Sequence, residues 1–379
     1  MSTRDQYDVA VIGGGLAGLA VAIQLAKQSF SVVLFEKEVY PFHKVCGEYI
    51  SFESWPFLQS LGVPLEEWDL PKITQLKLSS PRGTSLQQLL PLGGFGISRY
   101  KLDNALMQLA RQCGVVVCDG VTVRDAVLQD DLFHINTGTQ TFFARACCGA
   151  FGKRSNLDVK WDRPFVKERT TSLNHFIAVK YHAYLSLPSN EIALHNFKNG
   201  YCGMSAIEDN KACICYLTTA GNLRDSGKSI PGMEESVLMK NPFLKKAFAE
   251  ASILYEKPLS IAQISFEKKA QVESHILMLG DAAGLITPLC GNGMSMALHS
   301  SKLAAMLITL YLKNEVSRTE MEHLYVQRWN KQFKSRLRTG RMIQSVFGSE
   351  WLSNMFIQTM KQFPFLADKL IRQTHGTAF

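Results

Sequence analysis

Residues 7–36 read YDVAVIGGGLAGLAVAIQLAKQSFSVVLFE. The run from Tyr7 to Gly13 is apolar and reads as a buried strand. Leu16 to Gln28 places Leu19, Ala22, Ile23 and Ala26 on one helix face. Ser31 to Glu36 reads as a second strand, parallel to the first across the helix. The glycines of such a unit have separate tasks. Gly13 permits the tight turn, Gly15 lets backbone approach a pyrophosphate, and Gly18 lets the helix pack on the strand. The helix start, at Leu16 and Ala17, turns unpaired N–H groups and a positive dipole end toward phosphate. Glu36 lies eighteen positions beyond Gly18. A carboxylate there accepts hydrogen bonds from ribose hydroxyls and disfavours a 2′-phosphate, and Lys37 follows it into the same site. Strand, helix and acid in register specify a dinucleotide site, without separating one dinucleotide from another.

The chain has 379 residues, too many for one small core, so two joined domains are expected. Hydrophobic residues at 46% and charged residues at 20% belong to an ordered globular protein. The polar segment Met1 to Tyr7 is no secretory signal, and Leu303 to Leu312 is too short to span a bilayer. A cytoplasmic location without a transmembrane segment is the expectation. The nine cysteines are scattered, with no CxxC and no His/Cys cluster of metal-ligand spacing, so no metal is expected. Most read as reduced thiols packed as small hydrophobes. The net charge of +8 is spread out. Lys331, Lys334, Arg336, Arg338 and Arg341 read as a solvated helix face, or as attraction to an anionic substrate, a carrier protein or a membrane surface. No nucleic-acid recognition motif accompanies them.

Beyond the opening unit, Lys72 to Leu92 reads as strands around a Pro81-Arg82-Gly83 turn. Leu102 to Cys113 reads as an amphipathic helix, with a strand at Val115 to Cys118. Leu132 to Thr137 and Gln140 to Ala144 read as a hairpin over Gly138. From about 166 to 264 apolar and polar residues alternate, as in Phe176 to Tyr184 and Cys213 to Thr218, the pattern of an antiparallel sheet with one covered face. Ile276 to Gly280 returns to a short buried strand, and a helix is expected from about Gly293 to Leu312. The remainder, from Thr319 to Gln373, reads as helical and broken at Gly340, Gly348 and Pro364.

Leu279-Gly280-Asp281-Ala282-Ala283-Gly284, then Pro288 and Gly291-Asn292-Gly293-Met294, resembles the flavin-binding signature of the para-hydroxybenzoate hydroxylase-like flavoproteins. The resemblance implies that Asp281 and Ala282 meet the ribityl chain of FAD. It also implies that the helix start at Gly291, Gly293 and Met294 lies near the flavin pyrimidine, where a dipole end would stabilise negative charge. Pro41-Phe42-His43-Lys44-Val45-Cys46-Gly47-Glu48-Tyr49-Ile50-Ser51 resembles the P-x-x-K-x-C-G-E-x-(I/L)-S segment of the geranylgeranyl reductase-like branch. Ile97 to Asp103 is similar to that branch's R-x-x-L-D segment, whose arginine, here Arg99, approaches the FAD phosphates. Gly200-Tyr201-Cys202-Gly203 and Glu208-Asp209 fall where the branch has a strand and turn. The resemblance covers residues 5 to 310. It implies an α/β (α+β overall) fold: a Rossmann-type FAD-binding domain (1–75, 93–165 and 265–315) interrupted by an antiparallel-sheet substrate domain (76–92 and 166–264), with a C-terminal helical segment (316–379).

The resemblance implies an FAD-dependent oxidoreductase acting on a small hydrophobic or conjugated substrate, free, carrier-borne or membrane-associated. Either C=C reduction or hydroxylation through a flavin hydroperoxide fits. A non-catalytic escort of a prenylated partner is the alternative, against which Glu36 and Asp281 speak. The cofactor-binding set is Gly13, Gly15, Leu16, Ala17, Gly18, Glu36, Lys37, Lys44, Cys46, Gly47, Arg99, Asp281, Ala282, Gly291, Gly293 and Met294. Two departures stand out. The family's G-A-D-G-x-x-S reads Gly149-Ala150-Phe151-Gly152-Lys153-Arg154-Ser155, so the carboxylate expected to help hold NAD(P)H is Phe151, and the electron donor stays open. The substrate motif P-x-x-Y-x-W-x-F-P and the halogenase signature W-x-W-x-I-P are both absent. Cys46 is the candidate catalytic residue: its thiol would donate a proton beside the flavin, or else only shape the pocket. Cys290 has a weaker claim of the same kind. His43 reads as a loop residue near the cofactor, and His175, His182 and His195 as ordinary sheet residues.

Overall fold

The computed structural model describes residues 6–167, 175–287, 291–347, 349–374 and 376–379. Along the chain run β1 (Gln6–Ile12), α1 (Leu16–Ala26), β2 (Val32–Glu36), β3 (Tyr49–Ser51), α2 (Trp55–Leu61), β4 (Lys72–Ser79), β5 (Ser85–Gly96) and α3 (Arg99–Gln112). Then come β6 (Val116–Asp119), β7 (Asp125–Gln129), β8 (Leu132–Asn136), β9 (Thr141–Gly149), α4 (Asn156–Lys160) and α5 (Pro164–Lys167). The insertion holds β10 (Phe176–Tyr184), β11 (Glu191–Phe197), β12 (Gly200–Ala206), β13 (Ala212–Thr219), α6 (Ala220–Asp225), α7 (Ile230–Ser236), α8 (Pro242–Glu250), β14 (Ser252–Ile253) and β15 (Leu259–Ile264). The chain closes with β16 (Val272–Glu273), β17 (Ile276–Met278), α9 (Gly293–Leu312), α10 (Arg318–Phe347), α11 (Glu350–Gln362) and α12 (Pro364–Thr374).

Among the described residues these strands form two sheets, of eight and nine strands. The first has the order β16-β17-β9-β1-β2-β6, with the β7–β8 hairpin beside β9. Its inner pairs are parallel, and β1 and β2 read as near-continuous apolar runs because a parallel sheet is covered on both faces. Helix α1 is apolar almost all round, since the sheet, α3 and α9 enclose it. Leu19, Val21, Ile23 and Leu25 are each 0% exposed, and each such burial contributes roughly 1.5–3 kcal/mol. This packing fixes the glycine turn at the end of β1.

The second sheet has the order β14-β10-β13-β12-β11-β4-β5-β3, with β15 on β10. It is mixed rather than purely antiparallel, because β11 runs parallel to β4. It takes in β3 and the whole of β4 and β5, so residues 72–75 and 93–96, assigned by sequence to the first domain, lie in the second sheet. Two-residue periodicity gives β10 and β13 two different faces. Val179, Tyr181, Ile214 and Tyr216 pack under Met233, Leu238 and Leu244 from the helices that follow β13. Ala178 and Leu217 join the core of the first domain on the other face. Lys180 and His182, paired across the strands with Cys215 and Cys213, share that inward face and are buried there.

The C-terminal segment is helical, but α10 runs through Gly340 without a break. Gly340 is buried and its carbonyl accepts a bond from Thr287 Oγ1 at 3.2 Å, so tertiary packing overrides a propensity cost of about 1 kcal/mol. Arg336 leaves the basic face assigned to it. It is 7% exposed and lies 3.4 Å from the buried Glu53 carboxylate. Among the described residues no helix is long and apolar enough to cross a membrane.

Candidate functional site

The turn between β1 and α1 has no room for a side chain at Gly13, Gly14 or Gly18; at Gly14 a Cβ would stand 1.9 Å from the Tyr40 hydroxyl. A Cβ on Gly13, whose φ is +107°, would stand 2.5 Å from the Ala150 carbonyl oxygen. One on Gly18 would stand 1.9 Å from the Gly13 carbonyl oxygen. Gly15 differs: a Cβ there would meet only Arg99 Nη2 at 3.5 Å and Lys44 Nζ at 3.6 Å. Two cations thus converge over bare backbone at the start of α1, where Gly15 gives no side-chain cap and the first turn holds no acid. Unpaired N–H groups, a positive dipole end and two positive side chains make an anion cradle.

Buried acids aim these cations. Asp103, 1% exposed, takes both Arg99 Nε and Nη2 at 2.7 Å and lies 3.3 Å from Lys44. Glu36 closes β2, accepts the Gly14 N–H at 2.9 Å and the Glu38 N–H at 3.2 Å, and lies 3.5 Å from Lys44. The Tyr40 hydroxyl donates to the Gly14 carbonyl. Lys37 faces away: its side chain is 69% exposed and its partner is Glu38, 3.7 Å off. The structure therefore gathers Gly13, Gly15, Leu16, Ala17, Gly18, Glu36, Lys44 and Arg99 at one place and leaves Lys37 on the surface.

The second half of the site follows β17. Gly280 to Ala282 form a single tight turn held from beneath by buried cations. Lys269 Nζ donates to the Asp281 carbonyl at 2.8 Å and to the Lys153 carbonyl at 3.3 Å, and Arg163 donates to the Ala282 carbonyl at 3.1 Å. Burial brings the Lys269 ammonium down to about 8, against the pull of Asp158 and Asp281. Gly291 has φ +66° and a Cβ on it would touch the Tyr49 ring at 3.0 Å. Gly293 and the buried Met294 open α9, with Asn292 in the N-cap position but making no side-chain cap bond. Pro288 and Cys290 lie outside the described residues.

Between the two halves runs the loop that carries Cys46. Three successive carbonyls of this loop are clamped from three different elements: Lys44 by Lys180 Nζ at 3.1 Å, Val45 by Lys153 Nζ at 2.9 Å, and Cys46 by the Cys213 thiol at 3.4 Å. The half-buried Cys46 thiol lies beside the Arg99 guanidinium. Gly47 is exposed, with open space where a Cβ would stand.

Glu48 anchors the loop. It is 0% exposed, its φ is +57°, and its carboxylate takes the Arg99 N–H at 2.7 Å, Lys180 Nζ at 2.5 Å and His182 Nε2 at 2.5 Å. Burial alone would raise its pKa, but Lys180 and His182 outweigh burial and hold it at about 2. The ligand atoms of Glu48, His182 and Cys213 lie within 4.8 Å of one another, a spacing open to a metal ion. Lys180 already supplies the positive charge at that place. Sequence reasoning left Glu48, Lys180 and Lys153 off the site and took His182 for an ordinary sheet residue. The proximity of Glu48 to Gly47 and Cys46 was the available signal. By contrast His195 is ordinary: it bonds Ser79 at 2.7 Å and stacks on Phe243.

Outside this loop lies a pocket of about 580 Å³, lined by His43, Trp68, Tyr100, Lys101, Lys211 and Tyr255 among others. His43 stacks on Tyr100 with ring centroids 4.6 Å apart. Burial, with His182 and Lys180 nearby, brings its pKa down to about 4, so it is neutral at physiological pH. Phe151, in place of the expected aspartate, packs edge-on against Trp161.

A parallel sheet with an anion cradle at its first crossover, a buried acid closing its second strand and a second turn leading into a long helix defines an FAD-binding oxidoreductase fold. Residues 8–44 match the FAD dependent oxidoreductase family. Over 86% of this chain and 68% of the relative, 25% of residues are identical to conditioned medium factor receptor 1 of Dictyostelium discoideum. The digeranylgeranylglycerophospholipid reductase of Methanosarcina acetivorans is 25% identical over 86% of this chain and 81% of its own. A triple mutant of a flavin-dependent brominase superposes with a TM-score of 0.79 at 18% identity, covering 97% of this chain and 94% of that one. The chain is thus similar in sequence to FAD-dependent oxidoreductases, a digeranylgeranylglycerophospholipid reductase among them, and shares its fold with a flavin-dependent brominase. Its cofactor is FAD, and the cradle fits the pyrophosphate in both charge and space. A flavin-dependent halogenase of Armillaria mellea is 23% identical over 83% of this chain and 69% of its own, although the W-x-W-x-I-P signature is absent here.

Proposed function

We propose that this protein reduces a carbon–carbon double bond in a hydrophobic, isoprenoid-like or conjugated substrate. The observation that carries this reading is the Cys46 thiol, set beside Arg99 in a loop whose carbonyls are clamped by Lys180, Lys153 and Cys213. Reduction of C=C requires a hydride and a proton at neighbouring carbons. FAD, when bound, supplies the hydride. Arg99 and Lys44 would hold its pyrophosphate, Glu36 its ribose, Asp281 and Ala282 its ribityl chain, and the start of α9 at Gly291, Gly293 and Met294 its pyrimidine edge. Cys46 would give the proton from Sγ to the carbon left with the electron pair, and the adjacent guanidinium would stabilise the resulting thiolate. The clamped carbonyls keep Sγ in place, since a donor displaced by 1 Å loses much of its advantage.

The similarity to a lipid reductase supports this reading. Fold similarity to a brominase keeps a second, oxygen-using reading in view, and that chemistry needs no thiol. Cys46→Ser separates the two. Under the reductase reading, FAD content stays unchanged and single-turnover reoxidation by substrate slows by roughly 100-fold or more. An unchanged rate would remove Cys46 from the chemistry and favour the oxygen-using reading. The escort alternative gives no reason for two cations to be aimed at bare backbone over Gly15.

A further inference from the structure

The outer faces of the last three helices carry basic residues on one helix and bare apolar residues on the next. On α10, Tyr325, Trp329, Phe333 and Leu337 are buried against the core. Helical spacing puts Lys331, Lys334, Arg338 and Met342 on the opposite side, and all four are exposed. On α11, Ser353 and Ile357 are buried, while Trp351, Met355, Gln358 and Gln362 face out. That outer face carries no charge, where a solvated helix ordinarily shows its ionised side chains. Trp351 is 69% exposed. At the turn into α12, the Phe363 and Phe365 rings lie 6.2 Å apart, and Phe365 is 65% exposed. Helices α11 and α12 both lie on β5, whose Leu89 and Leu92 are exposed as well.

We propose that this surface docks on an anionic lipid bilayer. Trp351, Met355, Phe363 and Phe365 enter the interface, and Lys331, Lys334 and Arg338 meet the headgroups. The charge on the protein side is uncompensated. Between residues 323 and 367 the sequence has one acid, Glu350. Among the described residues none of Lys331, Lys334 and Arg338 pairs with a carboxylate. A phosphate-rich surface supplies the missing negative charge. Clustered apolar side chains leave water only when something covers them, and aromatic residues beside Lys and Arg are the composition of helices that lie in the plane of a membrane interface. A protein partner would have to offer pockets shaped to these anchors. Here they stand on outer helix faces and at a helix corner, and a fluid bilayer receives them without matching their shape.

An isoprenoid-like substrate partitions into bilayers, and a protein seated on a leaflet meets it there. The docking itself rests on surface chemistry alone and stands whether or not C=C reduction is the reaction. Each cation within a Debye length of an anionic surface strengthens binding roughly 5-fold, so three together account for roughly 100-fold, and added salt weakens this share.

The test is co-sedimentation of the whole FAD-loaded chain with sucrose-filled vesicles. One set is phosphatidylcholine with phosphatidylserine, the other phosphatidylcholine alone. The protein should sediment with the mixed vesicles at physiological ionic strength and far less with the neutral ones. Combining Lys331→Gln, Lys334→Gln and Arg338→Gln should weaken partitioning roughly 100-fold. Combining Trp351→Ser and Phe365→Ser should weaken it roughly 10-fold or more. All five positions are exposed, so both variants should keep the wild-type circular dichroism and flavin absorbance. Lys245→Gln with Lys246→Gln, exposed on α8 in the insertion, should bind as wild type does, which separates this face from net charge at large. Lipid brominated on its acyl chains should quench wild-type tryptophan emission, and Trp351→Phe should remove that quenching. A protein that sediments with neither vesicle, or one whose binding survives both variants, would overturn the proposal. So would an α8 variant that loses as much as the α10 variant. A dimer in sedimentation velocity that dissociates on Trp351→Ser would give the face to a second copy of the chain and overturn it likewise.

Discussion

Lys180→Met removes the ammonium that, together with His182, holds Glu48 ionised inside the protein. Both side chains are 0% exposed and 2.5 Å apart, so solvent cannot take over the charge. The wild-type Glu48 pKa is held at about 2 against an ordinary 4.5. That depression of about 2.5 units corresponds to about 3 kcal/mol. Breaking a buried pair by removing one partner independently costs about 3–5 kcal/mol. Equilibrium urea unfolding at pH 7 should therefore show a loss of about 3–5 kcal/mol. The sign of the pH dependence follows from the depressed pKa. In wild type the contribution is complete above about 4.5 and fades as pH falls toward 2. In the variant Glu48 protonates at a higher pH than in wild type, so the gap between the proteins narrows as pH drops from 7 to 3. The double variant Glu48→Gln with Lys180→Met should recover most of the loss, because no lone charge remains. A Lys180→Met protein within about 0.5 kcal/mol of wild type, or a gap independent of pH between 7 and 3, would refute the reasoning.

Two further outcomes follow from the cradle and from Phe151. Gly15→Val should fold and lose FAD, because its methyl groups fill the space beneath Arg99 and Lys44, whereas Gly18→Val should fail to fold; circular dichroism with flavin absorbance separates the cases. NADH or NADPH should reduce the bound flavin slowly, since Phe151 packs on Trp161 where a carboxylate was expected; fast saturable reduction in anaerobic stopped flow would contradict this.

What could be read from sequence was what is local in sequence. The strand, glycine turn, helix and Glu36 fall within thirty residues, and helix α9 is expected and found from Gly293 to Leu312. The buried cluster was hidden because its contacts are distant. Glu48 meets Lys180 and His182 across separations of 132 and 134 residues, and no local pattern distinguishes a lysine facing a carboxylate from one facing water. The same applies to Arg336, which periodicity put on a basic face and which pairs with Glu53 across 283 residues. Gly340 shows the opposite error. A local helix-breaking preference was given weight that tertiary packing removes. The parallel β4–β11 pair was hidden too, because alternation reports which face is covered and says nothing of strand direction.

The central claim, a redox-active FAD held by the cradle between Gly15, Arg99 and Lys44, is tested most directly by the visible absorption spectrum of the purified protein. The account requires flavin bands near the ratio of one FAD per chain, either as isolated or after incubation with FAD, and their loss in Gly15→Val. A folded wild-type protein that stays colourless after incubation with FAD, or a folded Gly15→Val protein that remains yellow, would contradict it.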